Sequence, residues 1–260
     1  MSTGNEHLVV QREGPVSILI FQRVEHLNAV TLEMWRALPQ ILAALEADDA
    51  TRVLVLRGAG ERAFVSGAEI DELDDVSGDA AYAQASGAAL DALHRFAKPT
   101  IALIHGQCVG AGIALALACD LRFASESARF SMPAVRFGLA VRVETVRQLA
   151  RVVGPTHASE ILFNARRFDA LEARRMNLLN HVVAASEVDD AVEQVARQIA
   201  DHAPLSLRAA KLALRASLDD TAAVEAQELE DAIAACTQSA DRGEGQRALR
   251  NRRKPRFTGR

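Results

Sequence analysis

Aromatic side chains are scarce in this chain: nine phenylalanines, but only one tryptophan, Trp35, and one tyrosine, Tyr82. Platforms for single-stranded nucleic acid are built from stacked aromatics along a basic groove, and a net charge of −4 supplies no basic field. These two shortages exclude nucleic acid as a partner. Cysteine is as sparse. Cys108, Cys119 and Cys236 are odd in number and form no CxxC pair, which excludes a disulfide framework and suits a reduced, cytoplasmic compartment. Long apolar runs are missing too. The longest, Ile113 to Cys119, falls far short of the roughly 20 residues that a spanning helix needs, so no membrane segment is expected. Met1 to Val10 is polar and mixes acid with base, unlike a signal peptide. The absence of HxxxH, HExxH and carboxylate clusters argues against a metal. The isolated Gly-x-Gly patterns lack the dinucleotide fingerprint.

What is present is a soluble α/β chain of 260 residues, 49% hydrophobic and 25% charged, with material for an ample core. Strand-like segments lie near Val16–Phe21, Arg52–Arg57, Thr100–Ile104, Leu121–Ala124 and His181–Val183. Between them, Leu32–Glu46, Ala81–Phe96, Gly112–Ala118 and Glu144–Val153 have helical period. Strands alternating with helices predict an α/β architecture with buried, largely parallel pairing. Asp71, Asp74, Asp75, Ser77 and Gly78 make Glu72–Gly78 read as a polar, mobile linker. From about Thr156, Ala-, Leu- and Glu-rich helical segments follow one another, punctuated at Pro155 and Pro204.

Two short segments carry the functional signal. Ala63-Phe64-Val65-Ser66-Gly67-Ala68-Glu69-Ile70 follows the apolar run Val53–Leu56, and Gly106-Gln107-Cys108-Val109-Gly110-Ala111-Gly112 follows Thr100–Ile104. Both read as strand-to-helix turns built from small residues, which let bare backbone N–H groups approach a ligand beside a helix N-terminus. Two such donors aimed at one point make an oxyanion hole. The plainer reading is a pair of ordinary tight turns.

The order of motifs along the whole chain resembles the crotonase superfamily, the enoyl-CoA hydratase/isomerase family. Phe21-Gln22-Arg23 with Asn28-Ala29-Val30 is similar to the family's opening segment. The two turns follow, then Ala118-Cys119-Asp120-Leu121-Arg122, Phe130-Ser131-Met132-Pro133 and Leu149-Ala150-Arg151-Val152-Val153-Gly154. The close, Glu244-Gly245 and Arg250-Asn251-Arg252-Arg253-Lys254-Pro255-Arg256-Phe257, is similar as well. The resemblance implies a core of ββα spiral turns over residues 1–200 that carries a CoA-thioester site. It also implies a helical C-terminal trimerisation region over residues 201–260, assembly as a homotrimer or dimer of trimers, and coenzyme A entering as part of an acyl-CoA substrate rather than as a permanent cofactor. The oxyanion donors fall on the N–H groups of Ala68 and Ala111. Positions contacting substrate or CoA fall on Glu25, Leu27, Ser66, Ala68, Glu69, Ile70, Gly110, Ala111, Ala114, Pro133, Ala134, Phe137 and Arg142.

The family's hydratases place one glutamate three residues after the second donor and another after the proline of an FxxPE segment. This chain has Ala114 and Ala134 there, and alanine moves no proton. The glycine-rich turn after Gly138 becomes Leu139-Ala140-Val141-Arg142-Val143-Glu144. Glu144 is the nearest substitute acid, or simply an early helix residue favoured by the macrodipole. Arg142 occupies a place where some relatives carry a catalytic aspartate. It either holds an acidic acyl group or faces solvent. Glu69 and Glu72 are further candidates, although Glu69 stands where the family uses an aspartate structurally. His26 adjoins the nucleotide-contacting segment, where Glu25 replaces the usual base and weakens a phosphate contact. His105 and Cys108 read more readily as buried structural residues than as a titrating base and a nucleophile. The cations from Arg247 onward form either a solvated face or a clamp for the phosphates of CoA. Besides hydration, isomerisation, decarboxylation, hydrolysis, simple acyl-CoA binding and a purely structural oligomer all remain open.

Overall fold

The computed structural model describes residues 5–69, 72, 76–218 and 223–260. Its chain opens with an antiparallel pair, β1 (Leu8–Glu13) and β2 (Val16–Phe21), and the helix α1 (Leu32–Ala47). Three further ββα units follow. They are β3 (Val53–Gly58), β4 (Ala63–Val65) and α2 (Val76–Arg95); β5 (Thr100–Ile104), β6 (Gln107–Val109) and α3 (Ala111–Ala118); and β7 (Leu121–Ser125), β8 (Arg129–Ser131) and α4 (Val143–Asn164). The chain continues through β9 (Phe168–Asp169), α5 (Ala170–Arg175), β10 (His181–Val183) and α6 (Val188–Ala200). It ends in α7 (Pro204–Leu218), α8 (Ala223–Gln238) and α9 (Ala240–Arg250).

Each of the three ββα units gives its first strand to one sheet and its second to another. The larger sheet runs β1-β2-β3-β5-β7-β10 and the smaller β4-β6-β8-β9. Pairing is parallel except for β1–β2 and β8–β9. This is the spiral that the resemblance implied, with a helical C-terminal region after it.

Residue chemistry explains the layers. β3 and β5 are apolar on both faces, and the period of two splits their side chains between two cores. Leu54 and Leu56 point into the main core with Trp35, Phe64 and Phe130, whereas Val53 and Val55 join Ile101, Leu103 and Phe123 beneath Val188 and Val192 of α6. Helix α1 begins at Thr31, whose hydroxyl accepts from the Met34 N–H at 3.2 Å. It buries Met34, Trp35, Leu38, Ile41, Leu42 and Leu45 along one face.

The smaller sheet leaves no readable period in the sequence, because its strands have only two or three residues. Two expectations need correction. Helix α2 starts at Val76 rather than Ala81, so Val76–Gly78 is helix and not linker; Asp71, Asp74 and Asp75 lie outside the described residues. Helix α4 runs past Val153, broken at Gly154, whose φ of 76° no other residue adopts readily. Among the described residues, no helix is long and apolar enough to cross a membrane.

The C-terminal helices are tied to the core by polar bonds. Lys211 Nζ on α7 donates to Asp120 Oδ2 at 2.7 Å and to the Lys98 carbonyl at 2.9 Å. The same Asp120 oxygen accepts from the Thr100 N–H and hydroxyl at 2.7 and 2.9 Å. Further on, Arg52 donates to the Phe257 carbonyl at 2.7 Å. Asp241 accepts from the Thr258 and Gly259 N–H groups at 2.7 and 2.8 Å. Lys211 is buried and Asp120 partly so. Lys211→Met therefore removes a mostly covered cation from a carboxylate that keeps two other donors. We expect a loss of about 2–3 kcal/mol, below the full cost of breaking a fully buried pair. Urea unfolding of the variant beside wild type measures it.

Candidate active site

The first turn is built by a clasp from the segment after β2. Leu27 and Asn28 both take left-handed φ, 50° and 58°. The Asn28 side chain fixes this bend: its Oδ1 accepts from the Arg23 N–H at 3.0 Å, and its Nδ2 donates to the carbonyls of Ala63 at 2.8 Å and Ala59 at 3.1 Å. The backbone then zips to the turn. Ser66 N–H donates to Leu27 O at 3.1 Å, Val30 N–H to Gly67 O at 2.9 Å and Glu69 N–H to Val30 O at 3.0 Å. Arg23 Nη1 adds an ion pair with Glu69 at 2.7 Å and a bond to Ala29 O at 2.9 Å. Because Val30 bridges Ala68 in parallel fashion through the residues on either side of it, the N–H of Ala68 itself takes no part in that bridge.

The second turn joins β6 directly to α3. Gly110 takes φ 52°, which a side chain would strain, and its N–H donates to Ser131 O at 3.0 Å. Ala111 is the first residue of α3, a position that leaves the backbone N–H without an intrahelical acceptor. Among the described residues, neither the Ala68 nor the Ala111 N–H donates to another backbone group. The two turns touch. A Cβ on Gly110 would lie 4.0 Å from Gly67 Cα, and a Cβ on Gly112 would overlap the Val65 carbonyl. The second turn is a strand-to-helix turn. The first passes from β4 into residues 66–69, and Glu72 lies in a 3-10 turn ahead of α2.

The remaining site residues fall around these turns in two groups. Leu27 and Ser66 are bonded neighbours, with Glu25 exposed on the adjacent 3-10 turn Val24–His26. Pairing of β6 with β8 sets Val109 opposite Ser131, so Pro133 and Ala134 emerge beside Gly110. Phe137 closes the 3-10 turn Ala134–Phe137 and is exposed. Ala114 lies one turn into α3, its N–H on Gly110 O at 3.1 Å. It lines a cavity of about 340 Å³ between α2, α3 and α4, together with Arg142 and Glu144. Ile70 lies outside the described residues.

The carboxylates near the first turn hold structure. Glu69 is taken by Arg23, and Glu72 accepts from the Leu32 N–H at 2.6 Å. Glu144, half-exposed, pairs with Arg142 at 3.3 Å. His105 is buried, with Nε2 2.7 Å from Asp189, which also pairs with Arg57 at 2.6 Å. Burial pushes the Cys108 thiol far up, away from the reactive thiolate form. In the C-terminal cluster, Arg253 pairs with Glu244 at 2.5 Å. That bond and the Arg256 N–H hold the Glu244 carboxyl down to about 2. The motifs in the sequence give no hint that α2 lines the cavity, through Leu90, Asp91, His94 and Arg95; the one available signal is a glycine, Gly87, in the middle of that helical segment, against which Arg142 packs.

Comparison with known proteins places this geometry. The model of the enoyl-CoA hydratase/isomerase family matches residues 11–260. A short-chain-enoyl-CoA hydratase of Clostridium acetobutylicum is 29% identical over 254 residues, covering 95% of this chain and 96% of that protein. A peroxisomal Delta(3,5)-Delta(2,4)-dienoyl-CoA isomerase of Arabidopsis thaliana is 32% identical, covering 94% and 93%. The crystal structure of an enoyl-CoA hydratase/carnithine racemase from Magnetospirillum magneticum superposes with a TM-score of 0.92 at 36% identity, covering 98% of this chain and 97% of that one. The match spans almost the whole chain in sequence and in fold: this protein belongs to the enoyl-CoA hydratase/isomerase family of enzymes.

Proposed function

We propose that this enzyme binds an acyl-CoA thioester with its carbonyl oxygen between the N–H groups of Ala68 and Ala111, and that hydration of a simple enoyl thioester is not its principal reaction. The observation that carries the reading is a pair of N–H groups, on two touching turns, that reach no backbone acceptor among the described residues. As a bond at the α-carbon breaks, its electron pair moves onto the thioester oxygen, and an enolate forms between the two donors. Fixed donors favour that charge over the neutral carbonyl, because their bonds strengthen as negative charge develops. The Ala111 N–H also carries the positive end of α3, so the two donors are unequal.

Ala114 and Ala134 support the negative half of the reading. Both stand beside the second turn, where hydratases of the family keep their two carboxylates, and neither can activate water or deliver a proton. An oxyanion hole without them still serves a thioester reaction that draws its acid or base from elsewhere, such as isomerisation, decarboxylation or hydrolysis. Asp91 and Glu144 are the carboxylates of the cavity wall, and Glu144, on the segment that follows Gly138, is our candidate for that role.

Copies of the chain associate through apolar surface, as a trimer or a dimer of trimers. Phe137, Phe163 and Leu249 are 64%, 76% and 80% exposed, and burying such side chains against a second copy removes their apolar area from water. Light scattering at micromolar concentration is expected to give three or six times the chain mass of 28.0 kDa. A stable monomer would count against this assembly.

Ala68→Pro deletes one donor without adding charge. In a variant whose circular dichroism and melting match wild type, turnover of any thioester substrate should fall about 10²–10³-fold. Unchanged binding and turnover would remove Ala68 from the hole.

Crotonyl-CoA hydration, followed at the enoyl-thioester absorbance, should proceed in wild type at a kcat below about 0.1 s⁻¹. Ordinary enzymes turn over near 10 s⁻¹, and each general acid or base contributes about 10²–10⁴-fold. A folded Ala114→Glu, Ala134→Glu double variant should gain about tenfold or more. Wild-type turnover at an ordinary rate would show that the two glutamates are dispensable here.

A further inference from the structure

Helix α2 carries Gly87 near its middle, although glycine is the poorest helix former after proline. The space a side chain would take there is filled by Arg142. A Cβ at position 87 would overlap Nη1, Cζ and Nη2 of that guanidinium. Nη1 donates to the Ala83 carbonyl one turn earlier on α2 at 2.9 Å, and Nη2 pairs with Glu144 at 3.3 Å. A planar cation is thus laid flat in a notch of one helix from the start of another. Among the described residues, these two contacts leave most of its five N–H donors available, and a third of the side chain remains exposed.

The cavity beside this cation has a polarity of its own. Its floor is Ala114, Leu117 and Ala118 on α3 and Leu90 on α2. Its charged walls are cationic in balance, with four arginines, Arg95, Arg142, Arg147 and Arg151, against Asp91 and Glu144. At 1.5 Å of rise per residue, the floor begins about 4.5 Å and ends about 10.5 Å along α3 from Ala111. A volume of about 340 Å³ lies in the range of small-molecule pockets.

We propose that this cavity takes the acyl end of the thioester and that Arg142, held in the Gly87 notch, selects acyl groups ending in a carboxylate. An apolar floor with a fixed guanidinium suits a short methylene chain capped by a carboxylate, and the planar fork matches that group bidentately. A neutral chain of equal length makes no such bond. The inference rests on the thioester reading above, and its test separates the two.

Isothermal titration of the full-length protein with glutaryl-CoA and with valeryl-CoA measures the preference, since both probes carry the same CoA and the same number of acyl carbons. Wild type should bind glutaryl-CoA about tenfold or more tightly than valeryl-CoA. In Arg142→Gln the ratio should collapse towards one. Gly87→Ala should lower it as well, because the new methyl evicts the guanidinium while leaving every charge in the chain in place. A wild-type ratio near one, or a ratio that survives Arg142→Gln, overturns the selection by Arg142. If neither thioester binds to folded wild type, the thioester site itself is wrong and this inference falls with it.

Discussion

Backbone meets backbone at the centre of this molecule with almost no side chain between. Gly112 packs against the Val65 carbonyl, Gly106 against the Arg62 carbonyl, and Gly58 against the Ala63 carbonyl and the Asn28 amide. At each of these places a methyl group would overlap its neighbour. The smaller sheet can lie this close to the loops before it only because those positions are bare, and the register of β4 against β6 follows from that proximity. So does the meeting of the two turns. The separation of the Ala68 and Ala111 donors is therefore set by main-chain contact, which has few soft degrees of freedom, rather than by rotamers. The oxyanion hole we propose, which must be ready before charge develops, is well served by such a frame.

Around this frame the polar side chains are largely occupied with holding backbone. Asn28 ties three strand and loop segments, Glu72 caps the start of α1, Glu69 is locked to Arg23, and Asp120 gathers β5 and α7 onto one oxygen. Buried polar groups that find partners this completely specify the fold and are lost to proton transfer. The chemistry we propose for the site accordingly draws on main-chain N–H groups and on the charged wall of the cavity.

The large sheet was legible in the sequence because Val16–Phe21, Val53–Leu56 and Thr100–Ile104 are apolar runs bounded by turn residues, each long enough to show strand character. The two turns were legible for a different reason: their small residues cluster where the flanking runs end. The smaller sheet was not. Ala63–Val65, Gln107–Val109 and Arg129–Ser131 are too short for periodicity, and they become strands only because the larger sheet delivers them side by side. The placement of Ala68 and Ala111 came from matching motifs, not from spacing. The Gly87 notch was hidden because its partner, Arg142, lies 55 positions away and no local pattern links the two.

The scarcity of aromatics gives the molecule a built-in optical reporter. The single tryptophan, Trp35, is buried in α1 with its ring edge-to-face against the single tyrosine, Tyr82, at a centroid distance of 6.2 Å. The Tyr82 hydroxyl donates to the Val30 carbonyl at 2.9 Å, and that carbonyl also accepts the Glu69 N–H of the first turn. Tyr82 stands on the same helix as Gly87. One carbonyl oxygen thus joins α2 to the turn that carries Ala68, and the chain's only indole sits one ring away from it. Tryptophan fluorescence from this protein has a single, spatially assigned source. Any shift of α2 or of the first turn on ligand binding changes the surroundings of that source, so the emission spectrum reads the site without a label.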